Sequence, residues 1–329
     1  MSLRLRQVLL RAGLLLLLGL LLAWALRNAP LPEIWQAIRR LQPGQLLWLA
    51  LLNALIYLLI SLRWWIIVRA EARSVPYLPL LAARLAVFGV SYFTLGPQVG
   101  GEPLQVLALQ RRHGLSYTRA TASVLMDKLL EFLVNFLLLA FGLTALLRAG
   151  FLEGSAQFRL SLFLLPLLML WPPVHILLMV RRIYPLTRLL QALPFLPVGS
   201  RLLRFLRACE WLAGTFCRRH PFALLAALAV SLMTGLGMLL EYALMLSFLG
   251  LDLPFWKTIA GWTAGWLSFL VPLPGGLGAL EASQVFALGA FGIPAALAIS
   301  LTLLMRARDL LIGGLGLLLA WAGFANGRK

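Results

Sequence analysis

Apolar runs recur along this chain at lengths suited to membrane-crossing helices, separated by short basic or Pro/Gly-rich breaks. The first, 12–26, follows a basic start from Met1 to Arg11. Ala23-Trp-Ala25 imitates a signal-peptide cleavage site, but the spans that follow favour a first transmembrane helix. Residues 46–68, 117–147, 160–180, 222–249 and 295–324 read as five further helices. At about 1.5 Å per residue, runs of this size approach or exceed the roughly 30 Å hydrocarbon core of a bilayer.

Two stretches break the pattern. Leu78–Phe93 runs into Thr94-Leu-Gly-Pro-Gln-Val-Gly-Gly-Glu-Pro103 before apolar sequence resumes at Leu104–Leu109. Phe255–Val271 runs into Pro272-Leu-Pro-Gly-Gly-Leu-Gly-Ala-Leu-Glu281, and 282–291 leads out. Proline removes backbone donors and glycine permits unusual dihedrals, so neither cluster continues a helix. Irregular backbone at membrane depth survives only where protein or a water-filled cavity satisfies it. Both are therefore expected to be re-entrant helical hairpins, over 78–110 and 255–291. Their tips carry Pro97, Gly100 and Gly101 in one and Pro272, Pro274, Gly275, Gly276 and Gly278 in the other.

Charge decides between topologies. With the hairpins re-entrant, six full spans remain and both termini are cytoplasmic. The cytoplasmic segments then hold 18 Lys and Arg, and the outer segments six. Reading the first hairpin as an ordinary span would put the basic stretch 181–219 outside, against the positive-inside rule. The expected architecture is an all-α polytopic membrane protein, one integral-membrane domain over 1–329. Its first half is 1–180, its basic cytoplasmic loop 181–219 and its second half 220–329. Hairpins entering from opposite sides are what an inverted repeat produces. One constant offset supports a repeat: laying Glu102 on Glu281 also lays Thr121 and Ser123 on Ser300 and Thr302, and Asp127 on Arg306.

Composition agrees. The 329 residues are 61% hydrophobic and 12% charged, with a net charge of +18. In such a chain that charge reflects topology and anionic headgroups rather than nucleic acid. Cys209, Cys217 and the scattered His113, His175 and His220 indicate neither a disulfide framework nor a metal site, and no cofactor motif is present. Leu202, Leu203, Phe205, Leu206, Trp211 and Leu212 interleave with the arginines of 181–219, as in a helix lying in the lipid interface.

Six acids lie inside apolar segments: Glu102, Asp127, Glu131, Glu241, Glu281 and Asp309. Burying one charge in hydrocarbon costs roughly 3 kcal/mol on insertion scales, so retaining six requires pairing or a wet cavity. Lys128, Arg306 and Arg308 are the candidate partners. Lys128 and Glu131, three apart, can pair, and so can Arg306 and Asp309. Structural ion pairing explains the Asp127–Lys128–Glu131 group as well as a cavity role does. Glu102 and Glu281, beside helix breaks, favour a functional role. Glu241 has no charged neighbour on its own helix. Arg63, near the inner end of 46–68, reads as a snorkelling side chain.

Gly96-Pro-Gln-Val-Gly-Gly-Glu-Pro103, the Asp127-Lys128-Glu131 helix and Pro272–Glu281 together resemble the flippase-like transmembrane region of lysylphosphatidylglycerol synthases, over nearly the whole chain. The resemblance implies lipid translocation in the cell (inner) membrane, without the soluble domain that aminoacylates the lipid in the large members. On this reading the nine intramembrane charges handle a phospholipid or other polar-headed lipid, Arg306 and Arg308 engaging phosphate. Membrane lipids are the expected partners, and a homo-oligomer is left open. Two other classes compete: a non-transporting lipid-binding assembly or regulatory subunit, and an integral-membrane lipid-modifying enzyme. The enzyme ranks below, because no nucleophile, base or metal constellation is legible.

Overall fold

A computed structural model describes residues 41–72, 74–93, 101–148, 156–192, 200–269, 276 and 278–326, with a few isolated positions between 32 and 39. Among the described residues every regular element is a helix. They are α1 (Pro43–Glu71), α2 (Tyr77–Tyr92), α3 (Glu102–His113), α4 (Tyr117–Arg148), α5 (Ala156–Val180), α6 (Pro185–Gln191), α7 (Arg201–Arg219), α8 (Pro221–Phe248), α9 (Phe255–Ser268), α10 (Ala279–Gly289) and α11 (Ala295–Asn326). The expected 12–26 helix lies outside the described residues, as do Pro97, Gly100, Pro272, Pro274 and Gly275.

Local chemistry sets the helix ends. Pro43 and Pro221 occupy first-turn positions, where a missing N–H costs nothing. The α3 helix stops at Gly114, whose φ of 65° suits glycine. Arg111 and Arg112 precede it and place positive charge against the carbonyl end of the helix. Ser200 caps α7 by accepting from the Leu203 N–H at 3.3 Å. Among the described residues, α1 and α8 are long and apolar enough to cross a membrane on length and composition alone. The α4 and α11 helices have 32 residues each and match the expected runs, but carry charges. The arms of both broken stretches are short. The longest of them, α2, has 16 residues, and α3, α9 and α10 have 12, 14 and 11. Each therefore reaches at most about 24 Å, less than the core of a bilayer.

The most extensive helix contacts are α2 with α11, then α1 with α8, then α4 with α9. The long helices α4 and α11 thus each pack on the first helix of the Pro/Gly-broken stretch from the other half of the sequence. Glycines permit the approach: a Cβ on Gly89 would stand 2.6 Å from the Gly313 carbonyl oxygen, and one on Gly316 would collide with the Leu85 carbonyl. When Glu102 is laid on Glu281, α1–α4 fall on α8–α11 with their ends matching to within a single turn.

In the 181–219 stretch, Leu202 and Trp211 of the apolar pattern are exposed and Leu203 is buried. It contains α6 and α7, and one face of α7 (Leu203, Ala213, Phe216, Cys217) is buried against protein, chiefly α4 and α5. Burial elsewhere is inside out for a water-soluble chain. Leu47, Leu51, Phe222, Leu225, Leu311 and Leu318 are exposed on α1, α8 and α11, while Arg63, Asp127, Glu241 and Arg306 are buried. Contiguous apolar surface of this kind is unfavourable in water and required in lipid.

Candidate functional site

The α4 helix carries Asp127, Lys128 and Glu131 on adjacent turns, and two arginines from other helices meet them. Arg63 (α1) donates from Nε to Asp127 Oδ1 at 2.6 Å and from Nη2 to Glu131 Oε2 at 2.9 Å. Arg84 (α2) donates to Asp127 Oδ2 at 2.9 Å and to Glu131 Oε2 at 3.1 Å. Lys128 Nζ lies 3.1 Å from Glu131 and 3.4 Å from Glu102 at the start of α3. Three cations face three carboxylates, so the cluster is formally neutral, and each side chain fills part of its partner's hydrogen-bonding capacity. Planar guanidinium forks suit such bridging between two carboxylates.

Arg63 therefore does not snorkel. It is 2% exposed and bridges two helices through charge-assisted bonds. Arg84 is a member of the cluster that the sequence reading does not single out. The signal is present in the charge count: six buried acids against three recognised cations leave carboxylates needing partners, and Arg63 and Arg84 sit inside apolar runs.

A second group joins α8, α10 and α11. Arg306 bonds Glu281 with both Nε and Nη2, the latter at 2.9 Å, and Nη2 also donates to the Gly276 carbonyl at 3.1 Å. Glu281 Oε2 in turn accepts from the Gly278 N–H at 2.9 Å. Gly276 and Gly278 hold φ values of 64° and 78°, both positive, a backbone that glycine adopts without strain. Arg308 lies 2.7 Å from Glu241 and 2.8 Å from Asp309, and Asn53 (α1) also donates to Glu241. Arg306 pairs with Glu281 and not with Asp309; Asp309 takes Arg308, and Asp127 and Arg306 do not meet as a pair. The charged neighbour that Glu241 lacks on α8 comes from α11.

Between the two groups lies a cavity of about 210 Å³. Glu102, Lys128, Glu131, Glu241, Arg308 and Asp309 line it, together with Arg63, Arg84 and the uncharged Asn53, Tyr57 and Gln105. Asp127, Glu281 and Arg306 are not among the lining residues; they hold the wall from behind. Gly101 closes the same region tightly, since a Cβ there would press on Val87 and Ser91. Among the described residues, no three His, Cys, Asp or Glu side chains are grouped to hold a metal ion.

A buried, charge-lined cavity inside an apolar-surfaced helical bundle is the arrangement of a membrane site for a polar group. Comparison with known families matches residues 10–316 to the model described as "Lysylphosphatidylglycerol synthase TM region". The chain belongs to this family. The match to the lysylphosphatidylglycerol synthase transmembrane family covers nearly all of the sequence, and residues 10–316 contain both glycine-rich breaks and the residues that line the cavity. Comparison with curated proteins and with solved structures found no match. Family membership, exposed apolar helix faces and buried charge together make this a membrane protein whose family is associated with lipid handling.

Proposed function

We propose that this chain moves a phospholipid or other polar-headed lipid between leaflets, passing the headgroup through the cavity while the acyl chains stay in the bilayer. The observation that carries this is the charge lining of the cavity, matched by exposed leucines on the outer helix faces. Each lining charge touches an opposite charge, Glu241 and Asp309 sharing Arg308, and this contact lowers the cost of holding charge in low dielectric. A zwitterionic or anionic headgroup can then exchange partners with Lys128 or Arg308. Arg306 takes a different role from the one its sequence position implies. Its guanidinium is committed to Glu281 and Gly276, so it braces the second hairpin rather than meeting phosphate.

The same reading takes 78–110 and 255–291 as re-entrant hairpins of an inverted repeat, in a cell-membrane protein with both termini cytoplasmic. The end-to-end correspondence of four helices and the reciprocal packing of α2 on α11 and α4 on α9 support it. Accessibility of residue 115 from outside the cell would contradict that topology. Transport itself is tested in proteoliposomes, by following a labelled phospholipid from one leaflet to the other. Exchange well above protein-free vesicles supports the reading. Bound lipid without exchange would identify a lipid-binding subunit, and a chemically altered lipid would identify an enzyme.

A further inference from the structure

The buried charges do not balance. Among the described residues, Arg63, Arg84, Lys128, Arg306 and Arg308 face Glu102, Asp127, Glu131, Glu241, Glu281 and Asp309, which is five cations against six carboxylates. The excess is local. The α4 cluster is balanced at three and three, and Arg306 with Glu281 at one and one. Glu241, Arg308 and Asp309 are two carboxylates around one guanidinium. An uncompensated carboxylate at membrane depth is costly enough that the group takes up a neutralising charge instead.

The hydrogen bonds say which carboxylate is left over. Glu241 is served on both oxygens, Oε1 by the Asn53 amide and Oε2 by Arg308 Nη1. Asp309 is served on one: Oδ1 accepts from Arg308, and among the described residues no donor reaches Oδ2. Asp309 is 5% exposed and lines the cavity of about 210 Å³, which is large enough to admit water and so to carry a proton to and from its carboxyl. The groups acting on Asp309 are Arg308 and Arg306 on its own helix, Glu241 from α8, Tyr57 from α1 and Tyr92 from α2. On α2, Arg84 is engaged by Asp127 and Glu131, and on α10, Glu281 by Arg306.

Building on the transport reading, we propose that Asp309 carries a proton at rest and that this proton accompanies an anionic phospholipid through the cavity. With Asp309 neutral, Arg308 has a single anionic partner, Glu241, and its remaining N–H groups can turn to a lipid phosphodiester. When the proton leaves Oδ2 for cavity water, Asp309 becomes a full carboxylate and reclaims Arg308, and the phosphodiester is released. Proton and lipid anion bind the same site cooperatively because each changes what Arg308 can hold. No bond other than the O–H is made or broken, and no redox partner is required.

Two measurements on the purified full-length chain test this. Infrared spectroscopy of the reconstituted protein at neutral pH should show the carbonyl stretch of a protonated carboxyl. That band should be lost in Asp309→Asn. It should also be lost in Glu241→Gln, where the single remaining carboxylate balances Arg308 and ionises. No such band in the wild type, or its persistence in Asp309→Asn, overturns the proposal. In vesicles containing labelled phosphatidylglycerol and a trapped pH dye, lipid movement by the wild type should be faster in acid and accompanied by proton movement. Lipid movement without protons, at a rate indifferent to pH, overturns the coupling while leaving transport intact. Absence of any lipid movement counts instead against the transport reading, and the infrared result still decides the state of Asp309.

Discussion

Gln105 and Gln284 occupy matching positions of α3 and α10 and are both fully buried, yet only Gln284 is hydrogen-bonded. Its Oε1 accepts from the Tyr242 hydroxyl at 2.6 Å and its Nε2 donates to the Gly261 carbonyl at 2.9 Å. Neither amide atom of Gln105 has a partner. The position matching Tyr242 is Arg63, which the α4 carboxylates have taken. Replacing Gln284 with Leu leaves a buried hydroxyl and carbonyl unsatisfied and should cost about 1–3 kcal/mol each. Gln105→Leu removes an unbonded amide and should be neutral or stabilising. Melting temperatures of the two variants in one detergent check this; equal losses would contradict it.

Arg63 and Asp127 define a second expectation. Removing one partner of a buried pair strands the other, at about 3–5 kcal/mol. Arg63→Gln and Asp127→Asn should each lower stability on this scale, and the double variant should recover part of it because two cations then face two carboxylates. Additive losses in a double-mutant cycle would show that the pair is not coupled. A cycle between Asp127 and Arg306, which belong to different groups, should by contrast show little coupling.

The crossing of α2 and α11 depends on absent side chains. Gly316→Ala places a methyl group against the Leu85 carbonyl and should reduce the yield of folded protein sharply. Gly314→Ala, two positions away with open space around it, should not. Size-exclusion profiles of the two variants expressed in parallel separate these outcomes.

Glu210, on α7 outside the spans, links that helix to α5 and α6. It accepts from the Leu186 and Thr187 N–H groups at 2.8 and 3.0 Å and from the Thr187 hydroxyl at 2.6 Å, and His175 Nε2 lies 3.2 Å away. Burial pushes its carboxyl up, but His175 and these donors outweigh burial and hold it below the ordinary glutamate range. A depressed folded-state pKa stabilises above the unfolded value, about 4.3, and that contribution is lost as pH falls through the folded value. Glu210→Gln should therefore lower the melting temperature at pH 7, with the difference shrinking below about pH 4. A difference that persists unchanged in acid would rule out the ionised carboxylate as its source.

Much of the helix layout was legible because apolar run length and Pro/Gly breaks are local properties. The α1, α4, α8 and α11 helices fall within a few residues of the runs that announce them. Partner choice was less legible. Spacing along one helix offered Lys128 with Glu131, which forms, and Arg306 with Asp309, which does not, because Glu281 reaches Arg306 from α10. Arg84 and Arg63 belong to pairs far apart in sequence, where no periodicity points. The amphipathic pattern of α7 was visible, but not that Ala213, Phe216 and Cys217 would pack against the protein's own helices.

If the charged cavity passes a lipid headgroup across the bilayer, labelled phosphatidylglycerol must exchange between leaflets in proteoliposomes that contain the protein. The wild-type chain should exchange label far faster than protein-free vesicles. Glu241→Gln, which changes the pairing of Arg308 inside the cavity, should reduce that rate at least tenfold while the protein remains folded. Wild-type exchange no faster than empty vesicles, or an unaltered rate in the folded variant, would contradict the account.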